Sequence, residues 1–232
     1  MLRFHQKLRS HQKTKFSESI TSAVCMALVG GSLDMYTYLN RGKVFANTQT
    51  GNLVLLGHNL AICNWKKVIY YVFPIVFFML GVALTEWIEH RFRETKRFSW
   101  RHVSLGVEVL LLFVVMMLPK GNYDVLSNII VSFVCGLQVH TFRKVYGNPY
   151  STTMFTGNVK NAAAYLTHHL ITKDEVAKTN GLIYLIIILM FILGAVLETI
   201  FTAFFYEKSV GFVNLILLFV IYMLYLEKKH GS

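Results

Sequence analysis

The sequence predicts an all-α integral membrane protein of six transmembrane helices plus two re-entrant half-helices in an inverted 3+3 repeat. Three observations carry this. Hydrophobic residues make up 54% of the 232, charged residues only 15%, and mean hydropathy is +0.48. Six apolar runs approach or exceed the roughly 20 residues that span a bilayer as helix. A polar phrase, Thr50-Gly51-Asn52, recurs 106 residues later as Thr156-Gly157-Asn158.

The six runs are Ser19 to Leu39, Val68 to Ile88, Val103 to Leu118, Val125 to Phe142, Gly181 to Phe205 and Val210 to Leu226. They lack the alternation of barrel strands, and a backbone in hydrocarbon must satisfy its own hydrogen bonds, so they read as helices. Val103 to Leu118 is short and needs flanking residues to complete its span. Two weaker segments, Val44 to Ile62 and Tyr150 to Ile171, each contain a Thr-Gly-Asn phrase. About a dozen residues follow Thr50 before Asn64, roughly 18 Å of helix, or half a membrane. Both segments read as half-helices preceded by extended chain. Thr and Asn can cap free N–H groups at a helix start, and Gly admits close approach.

The approaches to the two phrases are also polar, Phe45-Ala46-Asn47-Thr48-Gln49 and Tyr150-Ser151-Thr152-Thr153-Met154-Phe155. At the same 106-residue offset Gly30 and Asp34 match Gly136 and His140, so the duplication covers a whole unit. The organisation is a basic arm (1–18), a first membrane repeat (19–118) and a second (125–226).

Charge sets the expected orientation. Arg3, Lys7, Arg9, Lys13 and Lys15 precede the first span, and Arg91, Arg93, Lys96, Arg97 and Arg101 separate the second and third. The positive-inside rule puts both clusters in the cytoplasm, which requires Val44 to Ile62 to enter and leave by one face. Lys228 and Lys229 are then inside, the loop Pro119 to Asp124 is outside, and the location is the cell's inner (cytoplasmic) membrane with both termini cytoplasmic. Arg41, Lys43, Lys66 and Lys67 oppose this orientation. Three crossings per half make the repeat inverted. The alternative, eight full crossings in a parallel repeat, is second because of the larger charge cluster.

The net charge of +11 is mostly juxtamembrane and answers to topology and anionic lipid, so no nucleic-acid partner is expected. Cys25, Cys63 and Cys135 are too few and scattered for a disulfide framework or metal motif. His168 and His169 point to different sides of a helix, and no phosphate loop, nucleophile elbow or zinc motif occurs. The sequence gives no enzyme, no cofactor and no metal site, and leaves homo-oligomer formation open.

Gly31 to Asp34, the Phe45 to Asn52 stretch, Gly136-Leu137-Gln138 and the Thr152 to Asn158 stretch together resemble the YoaK-type family of bacterial membrane proteins. The resemblance covers nearly the whole chain. It implies a bacterial membrane protein and no substrate, since the family is of unknown function. His140 departs from the small or amide residue expected at its position.

Candidate substrate-binding residues are Asp34, Thr50, Gly51, Asn52, Gln138, His140, Thr156, Gly157 and Asn158. Asp34 leads, because a carboxylate inside an apolar run needs water, a cation or a donor. Glu86 and Glu198, in related phrases after Gly81 and Gly194, read as partial repeat equivalents, with Glu86 an ion-pair partner of the basic loop. Glu108, Glu198 and Gln138 read as interhelical hydrogen-bonding groups, and the span glycines as packing contacts. The expected function is a channel or secondary transporter for a small polar solute or ion, with its site at two half-helix N-termini. A non-transporting scaffold or sensor and a lipid-acting membrane enzyme are the alternatives; the second would show a clustered acid, base and nucleophile.

Overall fold

The computed structural model describes residues 15–92, 99–152 and 155–230. Arg3, Lys7, Arg9, Lys13, Arg93, Lys96, Arg97, Thr153 and Met154 lie outside the described residues. The described helices are α1 (Ile20–Asn40), α2 (Gln49–Ala61), α3 (Trp65–Phe92), α4 (Trp100–Met117), α5 (Asp124–Thr141), α6 (Phe155–Thr172), α7 (Glu175–Phe205) and α8 (Gly211–His230). A small hairpin, β1 (Lys144–Val145) with β2 (Asn148–Pro149), lies between α5 and α6. Its two-residue turn, Tyr146-Gly147, has φ of 48° and 78°, the left-handed pair that suits a hairpin twist.

Six of these helices are long and apolar enough to cross a membrane, and they overlap the six expected runs. The third of them, α4, is completed by Trp100, Arg101 and His102 at its start. Helices α3 and α7 run several residues beyond their apolar segments, because polar flanks prolong a helix whose apolar part is already formed. Of the weak segments, α2 has 13 residues and α6 has 18, so α6 exceeds the half-span expected of it.

Burial divides the six. Helices α1 and α5 are the most enclosed, 67% and 56% buried, whereas α3 and α7 are each 22% buried. The enclosed pair has mean hydropathy 1.2 and the peripheral pair 2.2 and 2.6. Exposed Phe73, Val76, Leu80, Leu189, Ile192 and Val196 give α3 and α7 the outer faces that lipid would cover.

Packing joins the first part of the chain to the second. Helix α1 lies against α7: Ser32 Oγ donates to Gly194 O (3.0 Å) and Asn40 Nδ2 to Thr202 Oγ1 (3.1 Å), both across 162 residues, so the two run parallel. Helix α3 lies parallel to α5 in the same way, with Asn128 Nδ2 to Tyr70 Oη near one end (3.4 Å) and Arg143 Nη2 to Glu89 Oε2 just past the other (2.7 Å). Glycines set the approach. A Cβ on Gly31 would strike the Phe191 carbonyl and one on Gly194 the Leu28 carbonyl; a Cβ on Gly136 would strike Phe78 O and one on Gly81 Phe133 O. Backbone meets backbone at both crossings, which only a missing side chain permits.

These contacts correct the expected register. Gly31, not Gly30, plays the part of Gly136, and Gly30 faces Thr152 O and the Asn47 side chain. The internal offset here is therefore 105 residues, and one residue turns a helix position by about 100°. Asp34 and His140 are consequently not equivalent. Likewise the residue four after Gly81 is buried Thr85, which matches Glu198 four after Gly194, whereas the Glu86 side chain is 66% exposed.

The helices alternate between two ends of the bundle. At one end Phe16 N–H donates to Glu227 Oε1 (2.5 Å), so residues 16 and 227 lie together. Glu18, Glu89, Arg101, Thr141, Arg143 and Lys144 surround one cavity at that end. The opposite end is pinned by Arg41, which is fully buried. Its guanidinium donates to Tyr36 Oη (2.7 and 3.0 Å), to Val115 O (3.2 Å), Leu118 O (2.8 Å) and Pro119 O (3.2 Å), and to Asp124 Oδ1 (3.3 Å). It thus closes the C-terminal end of α4, where carbonyls lack helical partners and carry partial negative charge. Tyr70 Oη and Asn128 Nδ2 reach Arg41 O at the same end (3.5 and 2.7 Å), so α1 ends and α3 begins there.

Arg41→Ala would leave three carbonyls and Asp124 without their cation. The expected loss is about 3–5 kcal/mol, as for a broken buried pair. Thermal unfolding of the detergent-solubilised protein checks it; an unchanged midpoint would show that Arg41 is not the pin.

Candidate functional site

Between α1 and α2 the chain leaves helical geometry and turns back along α1. Ala46 and Asn47 are buried at 0% and 1% exposure, so their backbone groups need protein partners. Asp34, in the second half of α1, supplies them. Its Oδ1 accepts from Asn47 N (3.0 Å) and Thr48 N (3.2 Å), and its Oδ2 from Thr48 Oγ1 (2.5 Å). Ser132 Oγ on α5 donates to Ala46 O (2.9 Å). Asn47 Nδ2 then bridges Gly30 O and Thr152 O (3.3 Å each), tying this segment to the corresponding one before α6.

The two Thr-Gly-Asn phrases open α2 and α6 in matching ways. Asn52 Nδ2 donates to Phe45 O (3.2 Å) and Asn158 Nδ2 to Ser151 O (2.7 Å), each seven residues back. Asn158 Oδ1 also accepts from Ser151 N (3.2 Å). Each asparagine thereby folds the approach chain against the first turn of its own helix. Phe155, at the start of α6, packs against Phe191 in the middle of α7, with ring centroids 3.9 Å apart and the rings tilted by 32°.

Between the two helix starts lies a cavity of about 450 Å³ lined by Thr48, Thr50, Pro149, Tyr150, Ser151, Phe155, Thr156, Gly157, Asn158 and Asn161. Among the described residues no lining side chain carries a formal charge; hydroxyls, amides and two aromatic rings face it. Thr48, at the N-cap of α2, makes no side-chain cap hydrogen bond, and its hydroxyl donates to Asp34. Thr48 thus leaves the first-turn N–H groups of α2 uncapped by its side chain, and the positive end of the helix dipole sits beside the cavity. Tyr150 is 7% exposed, and its hydroxyl finds no hydrogen-bond partner among the described residues. Burial pushes this phenol's pKa up, with Cys25 a smaller contribution, so it remains a neutral donor.

Of the nine candidates, Thr50, Thr156, Gly157 and Asn158 line this cavity. Asn52 braces its rim, and Asp34 positions Thr48 without lining it. Gly51 has open space around it but is not in the lining. Gln138 is a correction: fully buried, it donates to Met26 O (3.0 Å) and joins α5 to α1. His140 is the other, lying in the last turn of α5 beside Glu86 and Glu89. Missed were Thr48, Tyr150 and Ser151. The polar character of both approaches was the available signal, but nothing in the sequence distinguished a lining hydroxyl from one spent on the backbone.

Six apolar helices around a buried polar crossing define the class: this is a multi-pass membrane protein. The chain belongs to the family described as protein of unknown function DUF1275, whose profile matches residues 22–223. It is 25% identical over 223 residues to the UPF0700 transmembrane protein YoaK of Bacillus subtilis (strain 168), covering 94% of this chain and 97% of the relative. No solved structure matches the chain.

Asp34→Asn and Asp34→Ala separate charge from positioning. The amide keeps an acceptor for the two backbone N–H groups and can donate to Thr48 Oγ1, so the expected change in stability is below about 1.5 kcal/mol. The alanine strands three buried donors and is expected to lose roughly 3 kcal/mol or more. Unfolding midpoints of the two variants side by side test this; equal midpoints would remove the positioning role.

Proposed function

We propose that this protein is a channel or secondary transporter for a small polar solute, non-enzymatic, working through the cavity between the starts of α2 and α6. The observation that carries the reading is that one cavity draws its lining from both copies of the repeated phrase. In this reading α2 and α6 are the helical limbs of two re-entrant segments, entering from opposite faces within an inverted repeat. Support comes from α1 ending and α3 beginning at one end of the bundle, and from Asn47 meeting Thr152 where the two approaches cross. Paired helix N-termini near mid-membrane are the usual placing of solute sites in such folds. The lining, with helix-start N–H groups, hydroxyls and amides and no carboxylate, favours a solute offering acceptor oxygens, neutral or anionic. Asp34 serves as the anchor of the first approach, not as the coupling group.

Both termini are cytoplasmic in the proposed orientation, in the inner membrane. Lys15, Arg91, Arg101, Arg143, Lys144, Lys228 and Lys229 gather at the end holding residues 16 and 227, against exposed Lys43, Lys66, Lys67 and Lys120 at the other end, where Arg41 is buried in a structural role. In a Cys63→Ser background, which removes the exposed native thiol, cysteine placed at Lys120 should then react with an external impermeant maleimide in intact cells, and cysteine at Lys228 only after permeabilisation. The reverse pattern would invert the orientation.

Flux tests the function itself. Gly157 lines the cavity and a Cβ there meets nothing within 4 Å, so Gly157→Leu should fold and fill the passage. Proteoliposomes challenged with formate, nitrate, phosphate, urea and glycerol in stopped-flow scattering should pass at least one faster than empty vesicles. Gly157→Leu should cut that excess flux at least tenfold with an unchanged unfolding midpoint. No excess flux of any solute through wild type would favour the scaffold or sensor reading.

A further inference from the structure

The end of α3 and the last turn of α5 bring together three side chains outside the proposed passage: Glu86 and Glu89, three residues apart on α3, and His140 on α5. We propose that Glu86, Glu89 and His140 form a binding site for a divalent first-row transition-metal cation.

The placement is rigid. The Gly81–Gly136 crossing holds α3 and α5 at backbone contact, and the three side chains project one to two turns beyond it on each helix. Residues three apart on a helix share a face, so both carboxylates look toward α5. A site carried by two packed helices is fixed more closely than one carried on loops.

The geometry is that of converging ligands. His140 Nε2 lies 2.9 Å from Glu86 Oε2 and 3.5 Å from Glu89 Oε2, and one ligand atom from each residue falls within 4.8 Å of both others. Donors about 2.0–2.2 Å from one ion, at angles between right and tetrahedral, sit roughly 3–3.5 Å apart. His140 Nε2 is buried, yet it makes no aligned hydrogen bond despite the short approach to Glu86. One imidazole nitrogen and two carboxylates this close present three ligand groups to a single point between the helices.

The donor set fixes the class of ion. One imidazole and two carboxylates suit Zn²⁺, Fe²⁺ or Mn²⁺, whereas Mg²⁺ prefers oxygen alone. The Glu86 side chain is 66% exposed, leaving an entry path and room for water ligands. Arg143 donates to Glu89 Oε2 at 2.7 Å, so an ion uses the other Glu89 oxygen or displaces the guanidinium. Because Arg143 O also accepts from Tyr150 N (3.1 Å), the site adjoins the chain that leads to the cavity. No metal motif was visible in the sequence because the ligands lie about fifty residues apart on separate helices.

Calorimetric titration of the chelator-stripped, full-length protein in nanodiscs with ZnCl₂ tests the proposal without reference to transport. Wild type should bind one saturating Zn²⁺ per chain, with Mg²⁺ failing to compete. Glu86→Gln and His140→Ala should each weaken binding at least about tenfold, the loss that even outer-shell partners produce. The double variant His168→Ala/His169→Ala should bind as wild type. Glu86→Gln, at an exposed side chain, keeps the test decisive if His140→Ala fails to fold. Absence of saturable Zn²⁺ binding to wild type, or binding unaffected by Glu86→Gln, would overturn the site.

Discussion

Backbone outside a helix can be buried in this bundle only where protein groups replace the water it has lost. Between Arg41 and Gln49, and again from Phe142 to Thr152, the chain leaves helical geometry while Ala46, Asn47 and Thr152 are almost wholly enclosed. Each unsatisfied amide or carbonyl there would cost several kcal/mol in hydrocarbon. The chain meets this with short polar side chains: Asp34 for two N–H groups, Ser132 for Ala46 O, and Asn47 for Gly30 O and Thr152 O. Asn52 and Asn158 add one carbonyl each. The polar interruptions in an otherwise apolar sequence are thus first a consequence of the backbone path. The proposed solute site uses what that arrangement leaves over, the helix-start donors and the hydroxyls not already committed.

The same constraint explains why the most enclosed helices are the least hydrophobic. Lipid tails are as apolar as leucine, so burying a helix among other helices requires close packing and hydrogen bonds, not greater hydropathy. Helix α1 carries Gly30, Gly31, Ser32, Asp34, Thr37 and Asn40, and α5 carries Asn128, Ser132, Gly136 and Gln138. All are buried, and those with side-chain polar groups bond to neighbouring elements or to their own helix's carbonyls. Helices α3 and α7, facing outward, have the hydropathy of segments that meet lipid.

What could be read from the sequence follows from this division. Apolar length marked the six crossing helices, because a bilayer imposes it on each segment separately. The two phrases marked the cavity because the same local fold, an asparagine bonding seven residues back, occurs in each copy. Individual roles were less legible. Gln138 resembles a pathway residue and is an interhelical tie; Asp34 resembles an ion site and is a backbone anchor. His140 was matched to Asp34 by counting, and a one-residue difference between the helices put it on another face. In each case the partner comes from a distant element, Met26, Asn47 or Glu86, and spacing along the chain says nothing about it.

The arrangement of partners also argues against two separately stable halves. Helix α1, from the first part of the chain, packs along α7 from the second; α3 from the first packs along α5 from the second. Both crossings depend on paired glycines with no room for a Cβ, so each half supplies the surface that the other lacks. Arg41 extends this interlock, since it follows α1 yet closes the end of α4 and reaches Asp124 at the start of α5. Cutting the chain in the loop near residue 121 would expose glycine-bearing faces and unpaired carbonyls on both pieces. The cavity between α2 and α6 therefore belongs to neither part of the chain alone, and its shape is set by the contacts that hold the two together.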